Sequence, residues 1–226
     1  MLHLYGIIEP QVACAGVGVG GEQLMPIACG DVVAVASEHS RPLDASPSEE
    51  TLWEHEDVLE TLLEAGPVLP VRFGVRFADR EALRAAVQPR RAELAAALSR
   101  LRDKVELSVR LLAREDGGGP LATEIDGDAG PGARYLLERL EQRRDASRKL
   151  ETVRRRLAPR AVAERSQLLP RAGTLAASAF LVEQSAVRGF RQEAHGLEQE
   201  LEGVVLVCTG PWPPYNFVDE PLSGAV

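Results

Sequence analysis

The apolar positions change period several times along the chain, and each change marks an element. Leu2, Leu4, Ile7 and Ile8 fall in a short apolar run, and residues 2–9 are expected as a first strand. After a Gly-rich stretch, Pro26-Ile27-Ala28-Cys29 and Val32-Val33-Ala34-Val35-Ala36 flank Gly30-Asp31. β-Branched residues around a Gly-Asp turn predict a hairpin over 26–37. The period then becomes helical. Ser46, Pro47 and Glu49 read as an N-cap, a first helical position and a Ser-x-x-Glu capping box. Leu52, Leu59, Leu62 and Leu63 supply the apolar stripe, and Gly66-Pro67 ends the helix.

Val68-Leu69-Pro70-Val71-Arg72-Phe73-Gly74 predicts a short kinked strand, because Pro70 removes one ladder donor. Asp79 is placed to cap a second helix, and Pro89 to interrupt it before a fresh segment reaches Leu101. Val105, Leu107, Val109 and Leu111 alternate with Lys104, Glu106, Ser108 and Arg110, the pattern of a half-wet strand. This order permits two right-handed β-α-β connections behind a hairpin, most simply a ferredoxin-like sheet with helices on one face.

Gly and Pro then crowd residues 115–132, the expected linker. It separates an N-terminal α+β domain of residues 1–114 from a helix-rich α+β domain of residues 133–226. The second domain opens with an expected long helix from about Ala133 to Arg165, kinked at Pro159. Leu175–Val182 reads as a buried strand. Val187, Phe190, Ala194, Leu197 and Leu201 form one helical seam, and Val204–Cys208 a last strand. The chain closes on a Pro- and aromatic-rich tail, Gly210-Pro211-Trp212-Pro213-Pro214-Tyr215-Asn216-Phe217-Val218.

Composition narrows the function classes. At 226 residues the chain suits one large or two small domains, at roughly 100–200 residues each. Only 4% of residues are aromatic, so Leu, Val and Ala must fill the core. A net charge of −8 argues against a phosphate-backbone partner. Cys14, Cys29 and Cys208 are odd in number and lack Cys-x-x-Cys spacing, so neither a disulfide framework nor a zinc site is expected. Buried thiols in a reducing cytoplasm fit them. The N-terminus has no basic region of a secretory signal, and no apolar run reaches the roughly 18 residues of a bilayer span.

Candidate chemistry is sparse. Gly16-Val17-Gly18-Val19-Gly20-Gly21 matches G-x-G-x-x-G in form only, since Pro26 leaves no room for the helix that would hold a pyrophosphate. The segment reads as a flexible surface loop. His55-Glu56-Asp57-Val58-Leu59 has Leu59 where a zinc-protease helix needs its second His. His3, His39 and His195 are scattered along the chain. Glu49-Glu50 and Glu56-Asp57 fit a helix N-terminal half, where the macrodipole favours acids. Arginines 143, 144, 148, 154, 155 and 156 alternate with acids and read as a salt-bridged helix face. The tail reads as a stiff aromatic strip, either packed on the protein's own surface or presented to a protein partner. No catalytic, cofactor-binding or metal residues are assigned, and no cofactor is expected.

Several of these segments, taken in order, resemble one family. The tail 210–218, Val68–Gly74 with His55-Glu56 before it, Leu4-Tyr5-Gly6-Ile7, and Gly30-Asp31-Val32-Val33-Ala34-Val35 are similar to the gas vesicle protein F/L (GvpF/GvpL) family. Tyr135-Leu136 and Phe180-Leu181-Val182 extend the likeness over nearly the whole chain. The resemblance implies a ferredoxin-like N-terminal domain and a helix-rich α+β C-terminal domain. It implies a cytoplasmic, non-enzymatic accessory or minor structural protein of gas vesicles. Its implied partners are the apolar shell protein (GvpA type) and other accessory proteins. An enzyme or small-molecule-binding protein on ferredoxin-like domains is the competing class, which a deep pocket with converging titratable groups would favour.

Overall fold

The computed structural model describes residues 1–41, 43, 47–114, 131–171, 174–218 and 222. The chain divides into two units, Met1–Val105 with Trp212–Val226, and Glu106–Pro211.

The first unit is built on β1 (Leu2–Ile8), whose seven residues are all buried. A strand buried on both faces must be apolar throughout, and β1 nearly is. It pairs antiparallel with β3 (Val33–Glu38), β4 (Val68–Pro70) and β5 (Arg76–Phe77), while β2 (Leu24–Ala28) pairs antiparallel with β3. The sheet order is β2-β3-β1-β4. The predicted hairpin is therefore present, closed by Cys29 N–H donating to Val32 O. β1 bulges between Leu4 and Gly6, a device that re-aims side chains beside a site. Gly6 is needed for a different reason. A Cβ there would lie 2.9 Å from Leu69 O and 3.2 Å from a Leu59 methyl, so only glycine lets β4 and α1 approach.

Helix α1 (Glu49–Ala65) packs on β1 and β4. It buries His55, Val58, Leu59, Leu62 and Leu63. Each of the four aliphatic side chains contributes about 1.5–3 kcal/mol on burial. Its N-cap is Ser48, whose Oγ accepts from Thr51 N–H; Ser46 lies outside the described residues. The cap moved because Glu49 is the first helical residue, so Ser48 holds the half-in position. Asp79 caps α2 (Arg80–Val87) by accepting from Ala82 N–H at 2.8 Å, and Pro89 sits in the 3-10 turn before α3 (Arg91–Leu101).

In the second unit the order along the chain is β6 (Lys104–Ala113), α4 (Pro131–Leu157), β7 (Ala163–Arg171), β8 (Thr174–Glu183), α5 (Val187–Glu200) and β9 (Val204–Trp212). In the sheet it is β7-β8-β6-β9. β6 thus pairs in this sheet, and the two β-α-β connections drawn from the sequence do not close on one N-terminal sheet. The core joins Leu107, Val109 and Leu111 of β6 to Val153 and Leu157 of α4, Phe180 and Val182 of β8, and Phe190, Ala194 and Leu197 of α5. The Phe180 and Phe190 rings lie 5.1 Å apart.

Three expectations are corrected here. The helix expected to run to Arg165 stops at Leu157, with Pro159 inside a terminal 3-10 turn. Proline lacks the N–H for the next helical bond and clashes with the preceding turn. Residues 163–171 form strand β7, and Arg165, Ser166 and Gln167 are exposed, which hides a strand from a hydrophobicity reading. On β6 Glu106 is 5% exposed, so the expected wet face is interrupted. No described helix is long and apolar enough to cross a membrane.

Candidate functional site

Helix α1 organises the most chemically distinctive region, which lies in the first unit. On its inner face His55 is fully buried. His55 Nε2 lies 2.9 Å from Val71 O, and its Nδ1 lies 2.9 Å from His3 Nε2. These two distances fix both tautomers. A carbonyl only accepts, so His55 Nε2 carries the hydrogen and its Nδ1 is an acceptor. His3 Nε2 must then donate, which leaves His3 Nδ1 as a bare acceptor. That atom and Arg76 Nε are both buried and unpartnered among the described residues. Phe73 closes the cluster, with ring centroids 5.0 Å from His3 and 5.6 Å from His55.

A second chain of bonds runs beside the first. Val19 N–H donates to Tyr5 Oη at 2.8 Å, so the tyrosine hydrogen is directed to Ser37 Oγ, also at 2.8 Å. Ser37 Oγ in turn lies 2.8 Å from His39 Nε2 and is hydrogen-bonded to it. The Gly-rich loop is therefore not loose at this point. A Cβ on Gly18 would overlap the Tyr5 hydroxyl, so glycine is required for the loop to reach it. Gly20 N–H donates to Glu54 on α1 as well.

The electrostatics keep this interior neutral. Burial, followed by the neighbouring His55, His39 and Arg76, lowers His3 to about 3. Burial lowers His55 to about 4, opposed by its bond to Val71. Burial also pushes the Tyr5 phenol up and His39 down. Neutral imidazoles whose nitrogens bond to one another are occupied as structural links. Among the described residues no group of three or more His, Cys, Asp or Glu is placed to hold a metal ion.

The flank of α1 receives the tail. Tyr215 Oη donates to Glu56 Oε1 at 2.8 Å, and Arg100 of α3 donates to Phe217 O at 3.5 Å. Phe217 is buried, as are Pro213 and Pro214. The Gly210–Pro211 peptide is cis. Of the two readings of the aromatic tail, packing on the protein's own surface holds for Tyr215 and Phe217. The outer face of α1 is open instead, with Trp53 53% exposed.

The structure brings together much of what the sequence held apart. His3 and His39 join His55, whereas His195 is exposed on α5, 3.8 Å from Glu198. The signal for the cluster was the alternation of His3 and Tyr5 on an otherwise apolar strand. Only Cys29 of the three free thiols is fully buried; Cys14 and Cys208 are half-buried. The arginine face is paired in part, at Arg148, Arg154 and Arg156. Arg154 bonds Glu151 and Glu164, and Arg156 bonds Glu193 and Glu200.

These features define a packed two-sheet α/β scaffold whose distinctive residues build its interior and hold its tail. The segments that converge here, Leu4–Ile7, His55-Glu56, Val68–Gly74 and Tyr215–Phe217, are also the motif segments named above. Residues 1–219 match the family model described as gas vesicle synthesis protein GvpL/GvpF, and the chain belongs to that family. It is 31% identical over 222 residues to gas vesicle protein F of a Streptomyces species, covering 90% of this chain and 91% of that one. It is 27% identical to gas vesicle protein F1 of Halobacterium salinarum, covering 96% and 92%. Its fold is similar to the crystal structure of gas vesicle protein GvpF from an Anabaena species. That match has a TM-score of 0.82 at 20% identity and covers 100% of this chain and 98% of that one.

Proposed function

We propose that this chain is a non-enzymatic accessory or minor structural protein that binds shell protein (GvpA type) and supports gas vesicle assembly in the cytoplasm. The observation that carries the reading is the family match over residues 1–219. Shell subunits expose large apolar surface before assembly, and such surface aggregates unless covered. The outer strands are β2, β4 and the short β5 in the first sheet and β7 and β9 in the second. An outer strand can take an added strand, and an exposed helix face can take a partner helix. The non-enzymatic reading is supported by the neutral, mutually bonded histidines, which have no free approach for a substrate. The β-α-β-β-α-β order of residues 104–212, with sheet order β7-β8-β6-β9, supports a ferredoxin-like description of the second unit.

Co-expression with shell protein and pull-down tests this reading. A stable complex, with fewer or malformed vesicles after deletion of the gene, is the expected result. Absence of any complex together with normal vesicles after deletion rejects it. Immunodetection on purified vesicles before and after a stripping wash separates a retained structural component from an assembly factor.

A further inference from the structure

Two exposed helix faces carry opposite charge around an exposed apolar side chain. Helix α1 has seven carboxylates and no lysine or arginine. On its outer stripe, Glu49, Trp53, Asp57, Glu60 and Glu64 recur at spacings of three and four, the geometry of one helical face. Trp53 is 53% exposed, and among the described residues its indole N–H reaches only Glu49, at 3.4 Å. A tryptophan held in water among acids is unusual, because its ring gains by burial.

Helix α4 presents the counterpart. Leu140 is 52% exposed. Leu140, Arg143, Arg144, Ser147 and Arg148 line an open hollow of about 410 Å³, large enough to receive an indole ring. Among the described residues no carboxylate lines it. Arg143 and Arg144 have no ion-pair partner among the described residues, and Arg148 has only Asp145, at 3.4 Å. Asp145 is itself engaged more closely by Lys149, at 2.6 Å.

We infer that the outer face of α1 docks on the α4 hollow of a second copy of this chain. Trp53 enters the hollow against Leu140 and beneath the guanidinium groups, where cation–π attraction adds to apolar burial. Asp57 and Glu60 meet the arginines around it, giving the interface a charge-complementary rim. The two patches differ, so the contact is heterologous. Such a contact closes into a ring or grows as an open filament according to its rotation. Tryptophan and arginine are the residues most enriched at binding hot spots, which places the energy of this contact at Trp53 and the arginines.

Sedimentation velocity over a concentration series tests this, with circular dichroism confirming that each variant is folded. At low ionic strength the wild-type average mass is expected to rise with concentration, and to return toward the monomer as salt screens the rim. Trp53→Ala is expected to raise the dissociation constant at least about tenfold. Asp57→Lys/Glu60→Lys and Arg144→Glu/Arg148→Glu should each abolish self-association alone. Mixed in equal amounts they should recover it, since the reversed α1 of one now faces the reversed α4 of the other. A wild type that stays monomeric at every concentration in low salt overturns the proposal. So does a mixture that associates no better than its components, or a Trp53→Ala variant that associates like wild type.

Discussion

The two units bury different chemistry. Around β1 the first unit encloses three imidazoles, a phenol and a serine hydroxyl in directional bonds. The central cluster of the second unit is hydrocarbon, built from Leu, Val, Ala and two phenylalanines. Apart from Glu106 on β6, which is 5% exposed, the charged side chains described for it lie toward its surface, as in Arg156 and Arg160 sharing Glu193. Apolar contact is non-directional, so the second core specifies volume more than geometry. The hydrogen-bonded cluster requires β1, β3, α1 and the segment at Val71 to meet in one arrangement, and half-satisfied it becomes a liability.

Acid should separate the two units most widely. In the first, His3 and His55 are neutral when folded, with values of about 3 and 4, and take up protons on unfolding below 6.5. The unfolded state then binds more protons, so stability falls as pH drops from about 6.5 toward 4 and 3. The slope approaches about 1.4 kcal/mol per pH unit for each histidine. In the second unit Glu193 is held below its ordinary 4.5 by its bonds to Arg156 and Arg160. Its contribution is present above 4.5 and lost only at lower pH. Hydrogen exchange between pH 7 and 4, corrected for intrinsic rates, should show β1 and α1 losing protection before β8 and α5. Simultaneous loss would remove the distinction.

Core truncation reverses the contrast. Phe180→Ala leaves a cavity in the second unit and should cost about 3–5 kcal/mol by urea unfolding, with its slope against pH unchanged. His55→Ala should cost about 2–3 kcal/mol by stranding the His3 Nε2 hydrogen and Val71 O. It should also flatten the dependence between pH 6.5 and 4, which a purely apolar role for this position would leave intact. Gly18→Ala forces the Tyr5 hydroxyl aside and should cost about 1–3 kcal/mol, visible as faster exchange at Val19 N–H. Smallest is Tyr215→Phe, at about 1 kcal/mol. Because the Tyr215 bond favours ionised Glu56, against burial that raises it, the variant should raise Glu56 further. Carboxyl-detected NMR titration reads that shift.

Local signals in the sequence were sufficient where one segment's own chemistry decides its form. The Gly30-Asp31 turn, the Asp79 cap, the Pro89 interruption and the α5 seam follow from turn geometry, capping and period. Strand β7 was illegible because Ala163, Arg165, Ser166 and Gln167 are exposed and leave no apolar alternation. The buried cluster was illegible for another reason: His3, Ser37, His39 and His55 are polar residues whose partners lie up to 52 positions away. Nothing in the neighbourhood of a histidine states whether it will be solvated or paired.

By itself the sequence determined the elements with strong periods, the family and the absence of a recognisable catalytic motif, because these depend on residues close together or on an ordered set of segments. Only the tertiary structure decided that β6 belongs to the second sheet, that the tail bonds Glu56, and that the motif segments meet as a neutral interior. Strand partnership and hydrogen-bond pairing are properties of pairs distant in the chain. Their free energy exists only once the backbone has brought those pairs within about 3 Å.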